Sequence, residues 1–282
     1  MINLLDYPLV FFLLCLVVLW LSAWTGAYLR RTRRNLEEVQ REDLGVVLGA
    51  ALTLLALIIG FSFSMAVSRY DQRKNYEEEE ANAIGTEYAR AGLLPAADAA
   101  KVRALLKSYL DQRILFYTTR SARRLEQINV ATAQLQTDLW SAVQAPAAAQ
   151  QTVLVGLAVA GMNDVLNSQG YTQAAWWNRI PTAAWLLMVI IAILCNLLLG
   201  FDARSAETKR TRVLVLPLIV AISFLMIADL DAGHGGVIRV YPQNLQSLAR
   251  SISFVNHIPQ LDLHASPVRS VRERSVFGSA GE

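Results

Sequence analysis

The sequence is poor in charge. Of its 282 residues only 17% are Asp, Glu, Lys or Arg, whereas 54% are hydrophobic. A soluble domain usually has about 25% charged residues, so this deficit excludes an ordinary soluble protein and indicates an integral membrane protein. A basic tract with interleaved aromatic residues is missing as well, which argues against a nucleic-acid partner.

Cysteine and histidine are also scarce. The two cysteines, Cys15 and Cys195, lie inside apolar runs, which predicts buried thiols rather than a disulfide or a metal site. The three histidines have no carboxylate or cysteine at ligand spacing. Phosphate-binding loops, dinucleotide fingerprints and nucleophile elbows are not found. We therefore expect no bound metal, no cofactor and no enzymatic activity.

Long apolar runs are what the sequence does have. A helix needs about 20 apolar residues to cross the hydrocarbon core, and four runs meet or approach this length: residues 9–29, 44–68, 182–201 and 213–230. The first run is followed by RRTRR and is not preceded by a basic residue, so it is interpreted as a retained anchor. The prediction is an all-α integral membrane protein with four transmembrane helices.

The predicted domains follow from these spans. Residues 1–68 and 182–230 form two transmembrane pairs, and residues 69–181 form a helical extramembrane domain with three apolar stripes at helical spacing. We expect breaks near Pro146 and Gly170 and an interfacial anchor at Trp176 and Trp177. Residues 231–264 are predicted to be a further extramembrane segment, and residues 265–282 a disordered tail.

Basic residues predict the orientation. They crowd two short loops, around residues 30–41 and 204–212, and basic loops lie on the cytoplasmic side. Both termini and the central domain are then expected on the external or periplasmic side of a bacterial inner membrane. Arg69, Arg73, Lys74 and Arg179 flank spans on the domain side and weaken this asymmetry.

A polar stripe continues the second span into the extramembrane domain. Its members are separated by three or four residues and so share one face of a single long helix: Ser64, Ser68, Asp71, Asn75, Glu78 and Asn82. The stripe is interpreted either as the lining of a water-filled path or as an ordinary solvated face. Small residues at Gly45, Gly49 and Gly60, and at Gly85 further out, predict close helix packing.

Acidic residues follow the fourth span. Asp229 and Asp231 are expected on the same side of the membrane as Glu80, since the second and fourth spans end on one side. A carboxylate at this depth needs water, a cation or an arginine. The expected partners are Arg69, Arg73 and Arg239. The cluster is interpreted as a clasp between the second and fourth spans, or as a vestibule that concentrates cations; the two can coexist.

Two motifs resemble a known family. GFSFSMAVSRYDQRKNYEEEEANAIGTEYARAGLLP at residues 60–95 and MIADLDAGHGGVIRV at residues 226–240 are similar to bacterial bestrophin-like membrane proteins. Bestrophins are oligomeric anion channels with four spans and a helical domain between spans two and three. The motif points to these residues: Gly60, Ser64, Arg69, Asp71, Glu80, Asn82, Gly85, Thr86, Asp229, Asp231 and Arg239.

The resemblance implies a homo-oligomer in the lipid bilayer that conducts inorganic ions. It also implies a cytoplasmic central domain and an anion path, whereas the arginine count predicts an external domain and the carboxylates favour cations. Our leading hypothesis is an ion channel whose path is bordered by the second transmembrane helix. The alternative is a non-conducting sensor or scaffold whose helical domain binds a ligand or partner.

Overall fold

The computed structural model describes residues 7–32, 38–202 and 206–255, with the side chains of residues 31–42, 203–213 and 255 excepted. These residues form helices and contain no strand. The α-helices are α1 Pro8–Thr32, α2 Glu38–Arg90, α3 Ala96–Thr118, α4 Ala122–Ala149, α5 Val153–Trp177, α6 Thr182–Asp202, α7 Ala206–Asp231 and α8 Gln243–Val255, and a 3₁₀ turn, Ala91–Leu93, follows α2. The predicted all-α fold is confirmed, and the tail 265–282 lies outside the described residues.

Four helical stretches among these residues are long and apolar enough to cross a membrane: Pro8–Arg30, Asp43–Leu93, Val153–Asp202 and Leu214–Asp231. They contain the predicted spans except for residue 213. Helix α2 has 53 residues and is about 80 Å long at 1.5 Å per residue. A hydrocarbon core is about 30 Å thick. The apolar part of α2, residues 44–68, therefore suffices to cross it, and the charged part extends beyond the membrane as predicted.

The membrane-spanning helices share one hydrophobic core, which includes Leu19, Met188 and Phe224. Helices α1 and α6 make its closest contact. A Cβ atom added at Gly26 would clash with the backbone of Leu197, and one added at Gly200 would clash with the backbone of Ala23. Glycine at both positions thus lets two helix backbones touch, which the sequence analysis did not predict.

A second core lies outside the spans. The outer part of α2 packs there against α3, α5 and α8, and α4 packs against α3 and α5. Buried Leu106, Tyr109, Leu139 and Met162 belong to this core. Because α2 packs in both cores, it connects the membrane part of the molecule to the extramembrane part. Helix α2 therefore has one face that packs on these cores and an opposite face that is exposed.

Two local predictions were wrong, and the break expected near Pro146 comes three residues later. Helix α4 continues through Pro146 and ends at Ala149, with Pro146 itself buried. Helix α5 continues past Gly170 to Trp177, since its packed face continues through Thr172 and Trp176. Trp176 is also not an interfacial anchor, because it is buried in the extramembrane core, whereas Trp177 is 76% exposed. Local helix breakers were outweighed by tertiary packing in both helices.

Candidate functional site

Helix α2 has two faces that differ in their surroundings. All six residues of the predicted polar stripe are exposed, from Ser64 to Asn82. A step of two residues turns a helix by about 200°, and the residues two positions after Asp71, Asn75 and Glu78 are buried. The stripe therefore lies opposite the face that packs into the protein.

The stripe is also without partners in the chain. Within the described residues, none of its six side chains makes a hydrogen bond or an ion pair, and its charged members are the carboxylates Asp71 and Glu78. Carboxylates remain ionised where water or cations reach them. This face can thus border water or meet another copy of the chain.

The predicted packing glycines divide into two groups. Added Cβ atoms at Gly45, Gly49 and Gly60 would meet no atom within 4 Å, whereas one at Gly85 would lie 3.1 Å from a methyl carbon of Leu248. The three inner glycines therefore do not mediate close packing within the chain. Their role in packing stays a prediction for contacts with another subunit.

An apolar groove lined in part by Gly60 lies at the level of the membrane. It has a volume of about 500 Å³ and separates α2 from α7, with Leu52, Ile59 and Phe63 on one wall and Ile219 and Met226 on the other. Its position on residues 52–63 of α2 places it directly before the polar stripe begins. The membrane part of α2 is therefore not fully covered by its own chain.

The two aspartates at the end of α7 bind backbone amides. Asp229 accepts hydrogen bonds from the amides of Val237 and Ile238, each at 2.7 Å. Asp231 accepts from the amide of Ile180 at 3.1 and 3.3 Å, and its Oδ1 lies 3.5 Å from Nη1 of Arg69. These aspartates fix the turns next to α6 and α7, and Asp231 also connects α7 to α2.

Arg73 is held by carbonyl oxygens rather than by a carboxylate. Its guanidinium donates to the carbonyls of Leu230 at 3.0 Å, of Asp231 at 3.4 Å and of Ala175 at 3.4 Å. Burial lowers the pKa of Arg73, and the Asp231 carboxylate partly opposes this effect. Arg73 thus ties α2 to the ends of α5 and α7.

Glu80 is separated from this cluster and lies in the extramembrane core. It forms an ion pair with Arg113 of α3, in which both side chains are fully buried. Tyr117 and Thr172 donate their hydroxyls to Glu80 Oε2, each at 3.4 Å. Arg113 was missed, although it continues the apolar face of α3 at helical spacing after Leu106 and Tyr109, an unusual position for an unpaired arginine.

Glu77 joins α2 to the last helix. Its carboxylate accepts from the amide of Leu245 at 2.9 Å and from the side-chain amide of Asn244 at 2.7 Å. These donors belong to the first turn of α8, where free amides and the helix dipole favour an anion. Burial raises the pKa of Glu77, and the two hydrogen bonds oppose that rise.

Glu87 is a third buried carboxyl group on α2, and it has no hydrogen-bond partner within the described residues. The residue is fully buried, and it occupies the space left by Gly161 on α5. Burial raises the pKa of Glu87 to about 8, although the Arg90 guanidinium acts in the opposite direction. The carboxyl is therefore protonated and uncharged at neutral pH.

Arg239 does not join the acidic pair in the way the sequence analysis expected. Within the described residues it makes no hydrogen bond or ion pair, and its guanidinium lies 5.8 Å from the ring of Tyr241. The same part of the chain contains no group of three or more His, Cys, Asp or Glu side chains that could hold a metal ion.

Comparisons with known proteins agree with this architecture. The profile of the Bestrophin-like domain matches residues 9–245. A crystal structure of a bacterial bestrophin homolog from Klebsiella pneumoniae aligns with a TM-score of 0.58 at 18% identity, covering 86% of this chain and 94% of that chain. A point mutant of that homolog aligns with a TM-score of 0.59 at 16% identity, covering 86% and 96%.

A search of the curated proteins found no matching sequence. The structural likeness at this level of identity establishes the fold, and the four apolar helical stretches agree with a location in the membrane. The profile match extends over most of the chain, from the first span to the first turn of α8. On this evidence the chain belongs to the Bestrophin-like family.

Proposed function

We propose that the protein is an oligomeric ion channel whose path is bordered by the exposed face of α2. The observation that carries the proposal is the polar stripe from Ser64 to Asn82, which lies opposite the packed face and has no partner in its own chain. Membership of the Bestrophin-like family supports the same proposal.

Several copies are needed because one chain supplies only one wall. In a symmetric oligomer, equivalent residues of α2 would form rings around a central path, as in other ion channels. The uncovered glycines and the groove between α2 and α7 offer apolar surface for a second copy within the membrane. A second copy packed on this surface would fill the groove between α2 and α7.

The proposed path favours cations. Asp71, Glu78 and Glu79 are exposed on this side of α2, where Lys74 is the one exposed cation between residues 68 and 82. Arg73 is buried against carbonyl oxygens, and Arg69 is paired with Asp231. Rings of carboxylates raise the local concentration of cations and repel anions. This charge distribution is the reason for preferring a cation path to the anion path that the bestrophin resemblance implies.

The test is the reversal potential of the purified protein in planar bilayers with asymmetric potassium chloride. We expect reversal near the potassium potential, and a shift toward zero in Asp71→Asn with Glu78→Gln. The matched control is Glu126→Gln, since Glu126 is exposed on α4, away from the stripe. Reversal at the chloride potential, unchanged by the two stripe substitutions, would contradict the cation path.

A complete absence of current from the assembled protein, across voltage and pH, would favour the second candidate. This candidate is a non-conducting sensor or scaffold, and an exposed apolar patch at the beginning of α5 supports it. There, Val153 is 84% exposed and Leu154 is 54% exposed, and such patches often mark contacts with partners.

The proposed orientation places the extramembrane domain on the external side. The loop between α3 and α4 suits a reporter, because Arg120 is exposed and lies outside both helices. A reporter inserted there is expected to give the external signal. A cytoplasmic signal would reverse the orientation and would leave the path along α2 unaffected.

A further inference from the structure

A group of basic and aromatic residues lies where the two cores meet. We call Trp177, Arg179, Arg239 and Tyr241 the basic junction. Nearby residues fix its depth, because Ile180 and Ile238 pack on the membrane core whereas Val240 packs on the extramembrane core. The basic junction therefore lies at the level where lipid headgroups meet the protein.

The charged side chains that act on His234, next to the basic junction, are all positive. His234 stacks on Trp176 with 4.0 Å between ring centroids, and the charges that act on it are three arginines. Burial and these arginines lower the pKa of His234 to about 4, so it is neutral at neutral pH. The arginines are Arg73, Arg179 and Arg239.

Neither neighbouring aspartate forms an ion pair with Arg239. Asp229 already accepts two backbone amides, and Asp231 accepts an amide and pairs with Arg69. Arg73 is held by carbonyl oxygens, and Arg179 donates to the carbonyl of Ala232 at 3.4 Å. Among the residues that the structure describes, Arg239 at the edge of this buried region therefore has no carboxylate within ion-pairing distance.

Two buried donors in this region are left without an acceptor. The Nε of Arg239 and the Nε1 of Trp176 have no hydrogen-bond partner within the described residues, and Trp176 is 8% exposed. Both nitrogens can donate and cannot accept. An unpaired buried donor costs about 1–3 kcal/mol. His234 Nδ1 likewise has no partner within the described residues, but the bond from the Arg239 guanidinium is strongest to a negatively charged acceptor.

The surface beside these donors suits a lipid. Trp177 is 76% exposed, Tyr241 is 61% exposed and Val237 is 76% exposed. Exposed Trp and Tyr side chains are typical of membrane interfaces, where one end of the ring meets lipid and the other meets water. A ligand at this position can thus bring a polar group to Arg239 and apolar chains to the aromatic rings.

We propose that the basic junction binds the phosphate group of an anionic phospholipid, with Arg239 as its main donor. The phosphate oxygens accept from the guanidinium, for which a planar fork of donors is well suited. The aromatic rings of Trp177 and Tyr241 lie beside the glycerol and the upper acyl chains. The binding is a property of one chain and does not require ion conduction.

The experiment measures thermal unfolding of the full-length protein in a nonionic detergent with added short-chain lipids. Phosphatidylglycerol is expected to raise the unfolding temperature by several degrees, because a ligand that binds only the folded state stabilises it. Phosphatidylcholine at the same concentration is expected to leave it unchanged. Equal shifts with the two lipids would overturn the proposal.

Sodium phosphate at matched ionic strength separates the two sources of the phosphate group. A shift with the lipid and none with the salt is the expected result. A salt shift as large as the lipid shift would overturn the lipid assignment and indicate a site for free anions.

The decisive variant is Arg239→Gln, with Arg250→Gln as its control, since Arg250 is exposed on α8 and donates to the carbonyl of Gln246. The phosphatidylglycerol shift should be lost in the first variant and kept in the second. Native mass spectrometry provides a second readout, in which bound phosphatidylglycerol should fall at least tenfold in Arg239→Gln alone. Binding equal to that of the unmodified protein would overturn the role of Arg239, even if the variant unfolds at a lower temperature.

Discussion

The two faces of α2 show how differently one helix can use its charged residues. On the packed face, Glu77 binds α8, Glu80 binds α3 and Glu87 retains its proton. On the opposite face, Asp71 and Glu78 have no partner within the described chain. Acidic residues of the first kind organise the extramembrane domain, whereas those of the second kind remain available to ions.

The acidic run at residues 77–80 contains both kinds. Glu77 and Glu80 are buried, and Glu78 and Glu79 are exposed, because consecutive residues on a helix are separated by about 100°. A charge removed from water must gain an ion pair, several hydrogen bonds or a proton. The comparison therefore predicts large effects on stability for one face and effects on conduction for the other.

The largest expected effect is at the buried ion pair. Arg113→Met leaves Glu80 as an uncompensated buried charge, and we expect a loss of about 3–5 kcal/mol in the free energy of unfolding. Glu78→Gln, on the exposed face, is expected to change it by less than about 0.5 kcal/mol. Denaturant unfolding in detergent measures both values, and similar losses would contradict the division into two faces.

A smaller effect is expected where α5 touches the packed face. A Cβ atom at Gly161 would clash with Glu87 and Arg90, so Gly161→Ala should cost about 1–3 kcal/mol by overpacking. Gly156→Ala on the same helix is the control, because an added Cβ there meets no atom within 4 Å. This control should be neutral, or stabilise by up to about 1 kcal/mol through helix propensity. The unfolding midpoint should therefore fall in Gly161→Ala and stay unchanged or rise in Gly156→Ala, and an equal fall in both would contradict the packing of Glu87 against Gly161.

The next effect depends on pH. Glu87 has a pKa of about 8 in the folded protein and an ordinary value of 4.5, so between these values the folded state binds more protons than the unfolded state. Stability contributed by this group is present below pH 4.5, falls as the pH rises toward 8 and is level above it. The difference in unfolding temperature between Glu87→Gln and the unmodified protein should follow this course. A difference that stays constant from pH 5 to pH 8 would show that Glu87 is ionised or exposed.

Much of the fold could be predicted from the sequence. Apolar runs of membrane length located the four spans, and spacings of three and four residues aligned the stripe from Ser64 to Asn82 on one face. Such spacing gives the angle between residues on a helix and does not show which side packs inward. The burial of Glu80 with Arg113, and the contact of α1 with α6 at Gly26, depend on pairing between distant segments.

The charge cluster could be predicted only in part. The sequence placed Arg69 near Asp231, and their atoms lie 3.5 Å apart. It did not show that Asp229 binds the amides of Val237 and Ile238, because backbone donors in a turn leave no sequence signal of their own. The function of the cluster as a clasp stays a prediction, as does the use of the stripe as a path.

The most direct test of the path compares two serines on α2 that receive the same substitution. Ser64 is exposed on the stripe, whereas Ser62 is 4% exposed on the packed side, and the native thiols Cys15 and Cys195 are buried. A charged, water-soluble thiol reagent should alter the bilayer current of Ser64→Cys and leave the currents of Ser62→Cys and the unmodified protein unchanged. Equal effects on the two variants, or a fully labelled Ser64→Cys with unchanged current, would contradict a path along this face of α2.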